Sequence, residues 1–251
     1  MDIQLAKRVF TCIDNTTLNA TDNEQSVEDF CRRTLQMAVG GEHVAAVCVY
    51  PSLVAVAARA LRGSDISVAS VAGAFPHGQL PLALKVEEVK RAVGDGADEV
   101  DIVLNRGLLL AGRYDEVRHE VAQMKEACRG GGARLKVILE TGELPTAELV
   151  GKASMLAMEG GADFIKTSTG KGAVGATPEA AEAMLRAIAN YVKICKKTVG
   201  FKAAGGIREP SEALEYAMIA KKIMGDEYIN RQTFRIGASR LTESLYSLLT
   251  F

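Results

Sequence analysis

Short apolar runs rich in Val and Ile alternate along this chain with longer stretches of helical periodicity, and that alternation limits the fold more than any other feature. Strands are expected near 9–13 (VFTCI), 44–49, 67–72, 99–104, 134–140, 163–168, 198–203 and 233–237. Helical patterns lie between them near 25–38, 51–62, 80–94, 114–128, 146–159, 178–194 and 210–223, with a last one from about 240 to 249. Continuous apolar strands separated by helices are the mark of a parallel sheet buried on both faces. Pro51, Pro81, Pro145, Pro178 and Pro210 stand near helix starts, where a missing N–H is harmless, and Gly94, Gly96, Gly130 to Gly132, Gly160 and Gly161 stand near helix ends. Eight strand-then-helix units in 251 residues predict a closed (β/α)8 barrel of the TIM-barrel class, a single domain over residues 1–251. A doubly wound open sheet is the alternative.

Composition narrows the function. Charged residues make up 24% of the chain and the formal net charge is −1, so no global field attracts nucleic acid or an anionic membrane. No apolar run is long enough to span a bilayer, and the segment MDIQLAKRVF lacks the apolar stretch of a secretory signal. The five cysteines, Cys12, Cys31, Cys48, Cys128 and Cys195, are odd in number and scattered, which fits free thiols in a reducing cytoplasm. His43, His77 and His119 show no metal-ligand spacing, so no metal or cofactor is expected.

The anomaly is charge inside the expected strands. Side chains alternate across a strand, so Lys166 shares a face with Phe164 and Ser168, and Lys202 with Gly200 and Ala204. Lys136 likewise shares a face with Ile138 and Glu140, and Asp101 with Val103 and Asn105. If these faces line the barrel, each charge is costly unless paired. A buried salt-bridge network, with Asp101 against Lys136, is one reading. Yet one carboxylate does not neutralise three ammonium groups, so one lysine should shed its proton readily. Burial and a neighbouring cation both lower an amine's pKa, and a neutral amine can attack a carbonyl to form a Schiff base. A parallel between Gly96-Ala-Asp-Glu-Val-Asp101 and Gly161-Ala-Asp-Phe-Ile-Lys166 suggests similar depths for Asp101 and Lys166.

Three loops after strands six, seven and eight are poor in side chains: Thr169-Gly170-Lys171-Gly172, Ala204-Gly205-Gly206-Ile207 and Gly237-Ala238-Ser239. Such loops let backbone N–H groups approach an anion, and barrels of this class commonly bind phosphate beyond strands seven and eight. A small phosphorylated carbonyl compound is therefore the expected substrate class.

The segments IDNTTLN (13–19), VCVYP (47–51), GADEVDIV (96–103), LKVILETGEL (135–144), GADFIKTSTGK (161–171), TVGFKAAGGIR (198–208) and RIGAS (235–239) resemble the deoxyribose-phosphate aldolases, a class I, Schiff-base-forming family. FIKTSTGK followed by GFKAAGG is the specific part. The resemblance implies reversible cleavage of 2-deoxy-D-ribose 5-phosphate to acetaldehyde and D-glyceraldehyde 3-phosphate, in deoxyribonucleotide catabolism. It implies that Lys166 forms the Schiff base, that Lys202 lowers its pKa and exchanges protons, and that Asp101 works with a water in proton transfer. Lys136 is implied as a supporting member of the interior network. Asp14, Cys48 and Thr169 are expected at the substrate, and Gly170, Lys171, Gly205, Gly206 and Ser239 at its phosphate. Ala203 stands where relatives often carry proline, and Arg240 where a second phosphate-loop serine is common. Some relatives end in a tyrosine that assists proton transfer. Here the last residues are Leu249-Thr250-Phe251, and Phe251 has no proton to give.

Among the remaining residues, Cys48 reads as packing or as a thiol open to unsaturated aldehydes, and His77 as loop structure or a substrate contact. Lys85, Lys90, Lys125 and Lys152 are expected on solvated helix faces. Two other functions suit the same architecture: a phosphosugar isomerase, which needs a base but no imine, and a non-catalytic sugar-phosphate binder. The paired lysines favour the lyase. A homodimer is expected, with no nucleic-acid or membrane partner.

Overall fold

The structure, a computed structural model, describes residues 2–250. Eight parallel strands close on themselves in sequence order: β1 (Ile13–Thr16), β2 (Ala46–Val49), β3 (Ser67–Ala72), β4 (Glu99–Val103), β5 (Arg134–Ile138), β6 (Phe164–Lys166), β7 (Gly200–Ala204) and β8 (Phe234–Ala238), with β8 pairing back to β1. Helices α2 (Glu24–Gln36), α3 (Val54–Ala60), α4 (Leu82–Gly94), α6 (Tyr114–Arg129), α7 (Ala147–Glu159), α8 (Pro178–Cys195), α9 (Pro210–Met224) and α10 (Leu241–Thr250) fill the crossovers and surround the barrel. This is the expected (β/α)8 barrel. Among the described residues, no helix is long and apolar enough to cross a membrane.

Two helices were not expected. The run VFTCI (9–13), read as the first strand, is mostly the end of α1 (Ile3–Thr11), and β1 begins only at Ile13. Leu5, Ala6, Val9 and Phe10 recur at helical spacing and are buried, and the Asp2 carboxylate caps the Leu5 N–H at 3.0 Å. The periodicity of one buried face outweighs the strand preference of Val9 and Thr11. The other addition, α5 (Arg106–Leu110), is a single turn and a half capped by Asn105.

Apolar residues on the outer faces of the strands, such as Val47, Val68, Val100, Ile102, Val137, Ile165, Phe201 and Ile236, pack with the helices in the main core. The inward faces form something different. On β2 and β3 they carry small apolar residues, Ala46, Cys48, Ala69 and Val71, in a separate buried cluster with Leu18. On β4 to β8 and β1 they carry Glu99, Asp101, Lys136, Lys166, Lys202, Arg235 and Asp14, all buried. The barrel interior is thus divided, and the small side chains of β2 and β3 leave room for the long charged ones opposite.

The sequence reading put Lys85 on a solvated helix face. It is wholly buried, its Nζ 2.5 Å from Glu120 Oε2 of α6 and 3.3 Å from the Gly78 carbonyl. Lys85 and Val89 lie four residues apart on the buried face of α4, and Glu120 compensates the ammonium there. Lys125 is half-buried against Asp163 at 2.5 Å, and Lys152 lies 4.8 Å from the Tyr114 ring centroid.

Candidate active site

The register of the strands places the charges. Asp101 pairs across β4–β5 with Lys136, Lys166 pairs across β6–β7 with Lys202, and Lys202 pairs across β7–β8 with Arg235. Neighbours in a parallel ladder point the same way, so one register fixes all of these side chains inward. Asp101 and Lys166 do not share a register: Lys166 lies level with Ile138, and Asp101 is carried across to Phe164 through Lys136. Strand tilt and the long lysine chain bring their head groups together all the same.

The head groups form one network. Lys166 Nζ lies 2.8 Å from Asp101 Oδ2. Lys202 Nζ lies 2.8 Å from the same oxygen and 2.5 Å from Asp14 Oδ2. Lys136 Nζ reaches Asp101 Oδ1 at 2.7 Å, Glu99 Oε2 at 2.6 Å and Asp14 Oδ2 at 3.2 Å. Arg235 spans Asp14 at 2.6 Å and Glu99 at 2.7 and 2.9 Å. Below them Arg134 also pairs with Glu99, and the Arg134 and Arg235 guanidinium groups each lie 5.5 Å from the Phe164 ring centroid. Phe164 fits because position 200 is glycine: a Cβ there would overlap its ring. Glycine at 237 does the same for Lys202, whose Cε would lie 2.9 Å from an added Cβ.

Electrostatics separates the lysines. Burial alone would lower Lys136 and Lys202, but each faces two or three carboxylates, which hold them above the ordinary lysine value. Lys166 has one carboxylate neighbour. Burial lowers its pKa, Asp101 offsets part of that, and the Lys202 ammonium lowers it further, so the net direction is down. Burial pushes Asp14, Glu99 and Asp101 up, and the surrounding cations more than reverse this, so all three stay ionised. Lys136, Lys202, Arg235 and the partly exposed Arg134 already match the three carboxylates Asp14, Glu99 and Asp101, so the cluster needs no charge on Lys166.

Above the network, at the C-terminal ends of the strands, is a cavity of about 260 Å³. Lys166 is the one interior lysine on its wall, 4% exposed against 0% for Lys136 and Lys202. The wall also includes Thr169, Gly170, Lys171, Gly205, Gly206 and Ser239, all expected from the sequence. At Gly205 the backbone has φ +89° and its Cα approaches those of Gly170 and Gly175, so two loops meet backbone to backbone with no space for a side chain. The N-terminal end of α10 follows directly after Ser239-Arg240. Its free N–H groups and helix dipole favour an anion on that side. Lys171 Nζ meets the Leu18 carbonyl at 2.5 Å, which ties the loop after β6 to the loop after β1 across the cavity.

Several expected residues lie elsewhere. Asp14 is not on the wall but beneath it, as a member of the ion network. Cys48 is wholly buried beside Ala46, Ala69 and Val71, and burial raises its thiol pKa, which suits packing better than a reactive thiolate. His77 and Arg240 are exposed and outside the cavity, and Phe251 lies outside the described residues. Among the described residues, no group of three His, Cys, Asp or Glu side chains could hold a metal ion. The sequence reading missed Glu99, Arg235, Arg208 and Glu140. Arg208 lines the cavity, and Glu140 accepts hydrogen bonds from Thr169 at its rim. Glu99 and Arg235 carried the same signal as Lys166, a charge inside an apolar strand.

The barrel thus holds one interior lysine on the wall of a mouth that favours an anion. The family model for DeoC/LacD family aldolases matches residues 8–241. This chain belongs to the DeoC/LacD aldolase family. Among curated relatives, the human deoxyribose-phosphate aldolase is 44% identical across 95% of this chain and 78% of its own length. The mouse enzyme of the same name is 45% identical across the same shares. Among solved structures, a deoxyribose phosphate aldolase from Aeropyrum pernix, described as a tetramer, is 25% identical with a TM-score of 0.74, covering 99% of this chain and 97% of that one. Membership makes this aldolase-family chain a lyase.

Proposed function

We infer that the chain is a class I deoxyribose-phosphate aldolase that cleaves 2-deoxy-D-ribose 5-phosphate reversibly to acetaldehyde and D-glyceraldehyde 3-phosphate. The observation that carries this is Lys166: the interior amine on the cavity wall is also the one whose surroundings favour loss of its proton. The glycine-lined rim, with Lys171 and Ser239, suits the substrate's phosphate.

The chemistry follows from the placement. Neutral Lys166 Nζ attacks the C1 aldehyde of the open-chain sugar and gives a carbinolamine. Loss of its oxygen as water, with a proton supplied from the Lys202–Asp101 pair, leaves a protonated imine. The C3 hydroxyl then gives its proton to a base, and we assign this to Asp101 acting through a water. The C2–C3 bond breaks, and its electron pair moves into the imine to form an enamine. D-Glyceraldehyde 3-phosphate departs, a proton is added at C2, and water releases acetaldehyde and the free lysine. Lys202 keeps its proton throughout the approach of substrate, since Asp101 and Asp14 both hold it. Lys136 keeps Asp101 ionised from below, and Asp14 in turn helps hold Lys136 and Lys202 in their charged forms.

The isomerase alternative needs no poised amine, and Lys166 would then be a costly buried group without a task. Incubation with 2-deoxyribose 5-phosphate and borohydride, followed by peptide mass analysis, tests the inference. A reduced adduct on Lys166 is expected. No adduct in folded protein that still binds the sugar phosphate would replace this reading with the isomerase or the binder. A cytoplasmic homodimer belongs to the same proposal. Light scattering checks the assembly, and a tetramer's mass would correct it.

A further inference from the structure

Glu140 lies two residues beyond the end of β5, and two of its properties are unfavourable taken alone. Its backbone is left-handed, φ 55° and ψ 61°, a region that residues other than glycine adopt rarely. Its side chain is buried at 2% exposure, yet among the described residues no lysine or arginine nitrogen forms an ion pair with it. A buried carboxylate without a cation is costly, and strained backbone at a cavity rim points toward function.

Both features serve one contact. The Thr169 hydroxyl donates to Glu140 Oε2 at 2.5 Å, and the Thr169 N–H donates to both carboxylate oxygens at 3.3 Å. The same Thr169 oxygen accepts from the Lys171 N–H at 3.0 Å. The hydroxyl proton is therefore committed to Glu140 and its lone pair to Lys171, so residues 169–171 have one arrangement. Thr169, Gly170 and Lys171 form the cavity wall on this side. A carboxylate suits the task because its two oxygens accept from two donors on one residue, and charged acceptors make the stronger bonds. The left-handed turn at 140 directs the side chain away from the strand's path and toward Thr169.

We propose that Glu140 is a positioning residue for the phosphorylated end of the substrate, acting by fixing the Thr169–Lys171 segment and not by any part in the chemistry at Lys166. This rests on the aldolase reading given above. The predicted signature is a split: binding of the phosphorylated sugar weakens when Glu140 is removed, while imine chemistry and use of the unphosphorylated sugar do not change.

The test compares wild type with Glu140→Gly, which relieves the backbone strain, and Glu140→Gln, which keeps the size with a single neutral acceptor. Steady-state kinetics are measured with 2-deoxyribose 5-phosphate and with 2-deoxyribose, alongside inhibition by inorganic phosphate and thermal melting. For Glu140→Gly, KM for the phosphorylated sugar should rise at least about tenfold, as expected for loss of a charged hydrogen-bond acceptor. Its kcat and the activity on 2-deoxyribose should stay within about threefold, phosphate inhibition should weaken in parallel, and Tm should not fall. Glu140→Gln should lie between. Unchanged KM, equal losses on the two sugars, or a fall in kcat alone would overturn the proposal. Should both variants fail to fold, Glu140→Asp keeps the charge but shortens the reach to Thr169, and it must show the same split. A wild-type protein that gives no Lys166 adduct with borohydride overturns the aldolase reading itself. A wild-type adduct with unaltered Glu140 variants overturns this inference alone.

Discussion

At the scale of single residues, the interior network works by inequality. Lys166 faces one carboxylate where Lys202 faces two and Lys136 three, and that difference selects the amine that sheds its proton. Glu99 and Arg235 should tune it in opposite directions. Glu99→Gln removes a negative charge from the cluster, so Lys166 should lose its proton at lower pH and the acid limb of kcat/KM should move down. Arg235→Met removes a positive charge and should move the limb up. With an effective dielectric near 20, each shift should be about 0.5–1 pH unit. Both variants should also lose about 3–5 kcal/mol of stability, because each leaves a buried partner uncompensated. Shifts of the same sign in the pH–rate profiles would show that Lys166 does not sense the cluster's charge. Lys166, Lys202, Lys136 and Asp101 were legible from sequence because an ionised group in an apolar strand is a physical anomaly wherever it occurs. Glu99 and Arg235 are the same anomaly but stand at the first and second residues of their strands, where charge reads as solvent-facing. Glu140 gave no signal, since nothing local marks a carboxylate that will meet a threonine twenty-nine residues onward.

At the scale of elements, strand and helix patterns were read nearly throughout, because buried parallel strands and amphipathic helices differ in both length and period. The exception, residues 9–13, shows where the pattern fails: Val9 and Phe10 are apolar in either state, and the helix that claims them is completed only by packing against α9 and α10. Glycines within strands carry more than local meaning. Gly237 sits where a Cβ would lie 2.9 Å from Lys202 Cε and 3.0 Å from Ala204 Cβ. Gly237→Ala should therefore push Lys202 away from Asp14 and Asp101. The expected cost is about 1–3 kcal/mol of stability from overpacking, together with a kcat loss of at least about tenfold. Melting and steady-state assays would check this, and an unchanged kcat with a lowered Tm would remove Lys202 from the proton-transfer steps.

At the scale of the whole molecule, the network is also part of what holds the barrel closed, because it joins β1, β4, β5, β6, β7 and β8 through their interior. Asp14, Asp101 and Glu99 have folded pKa values below the ordinary 3.8 and 4.5. In acid the unfolded chain then binds more protons than the folded one, so stability is fully present above about pH 4.5 and declines as pH falls below it. Lys136 and Lys202 are held above 10.5, so their contribution is complete below that pH and declines as pH rises past it. Stability measured by equilibrium unfolding across pH should fall off outside these limits, with a shallow rise toward pH 10.5 between them from Lys166, whose folded pKa is lowered. Stability that stays flat well into acid would mean the interior carboxylates titrate as free ones. The sequence by itself determined the architecture and most of the cavity wall, since periodicity, glycine placement and charges inside strands are local properties that each segment carries alone. Only the tertiary structure decided which charges meet. The closed register sets Asp101 between three lysines, sinks Asp14 beneath the wall and brings Glu140 to Thr169. Those relations depend on distances between strands far apart in the chain, and no single segment encodes them.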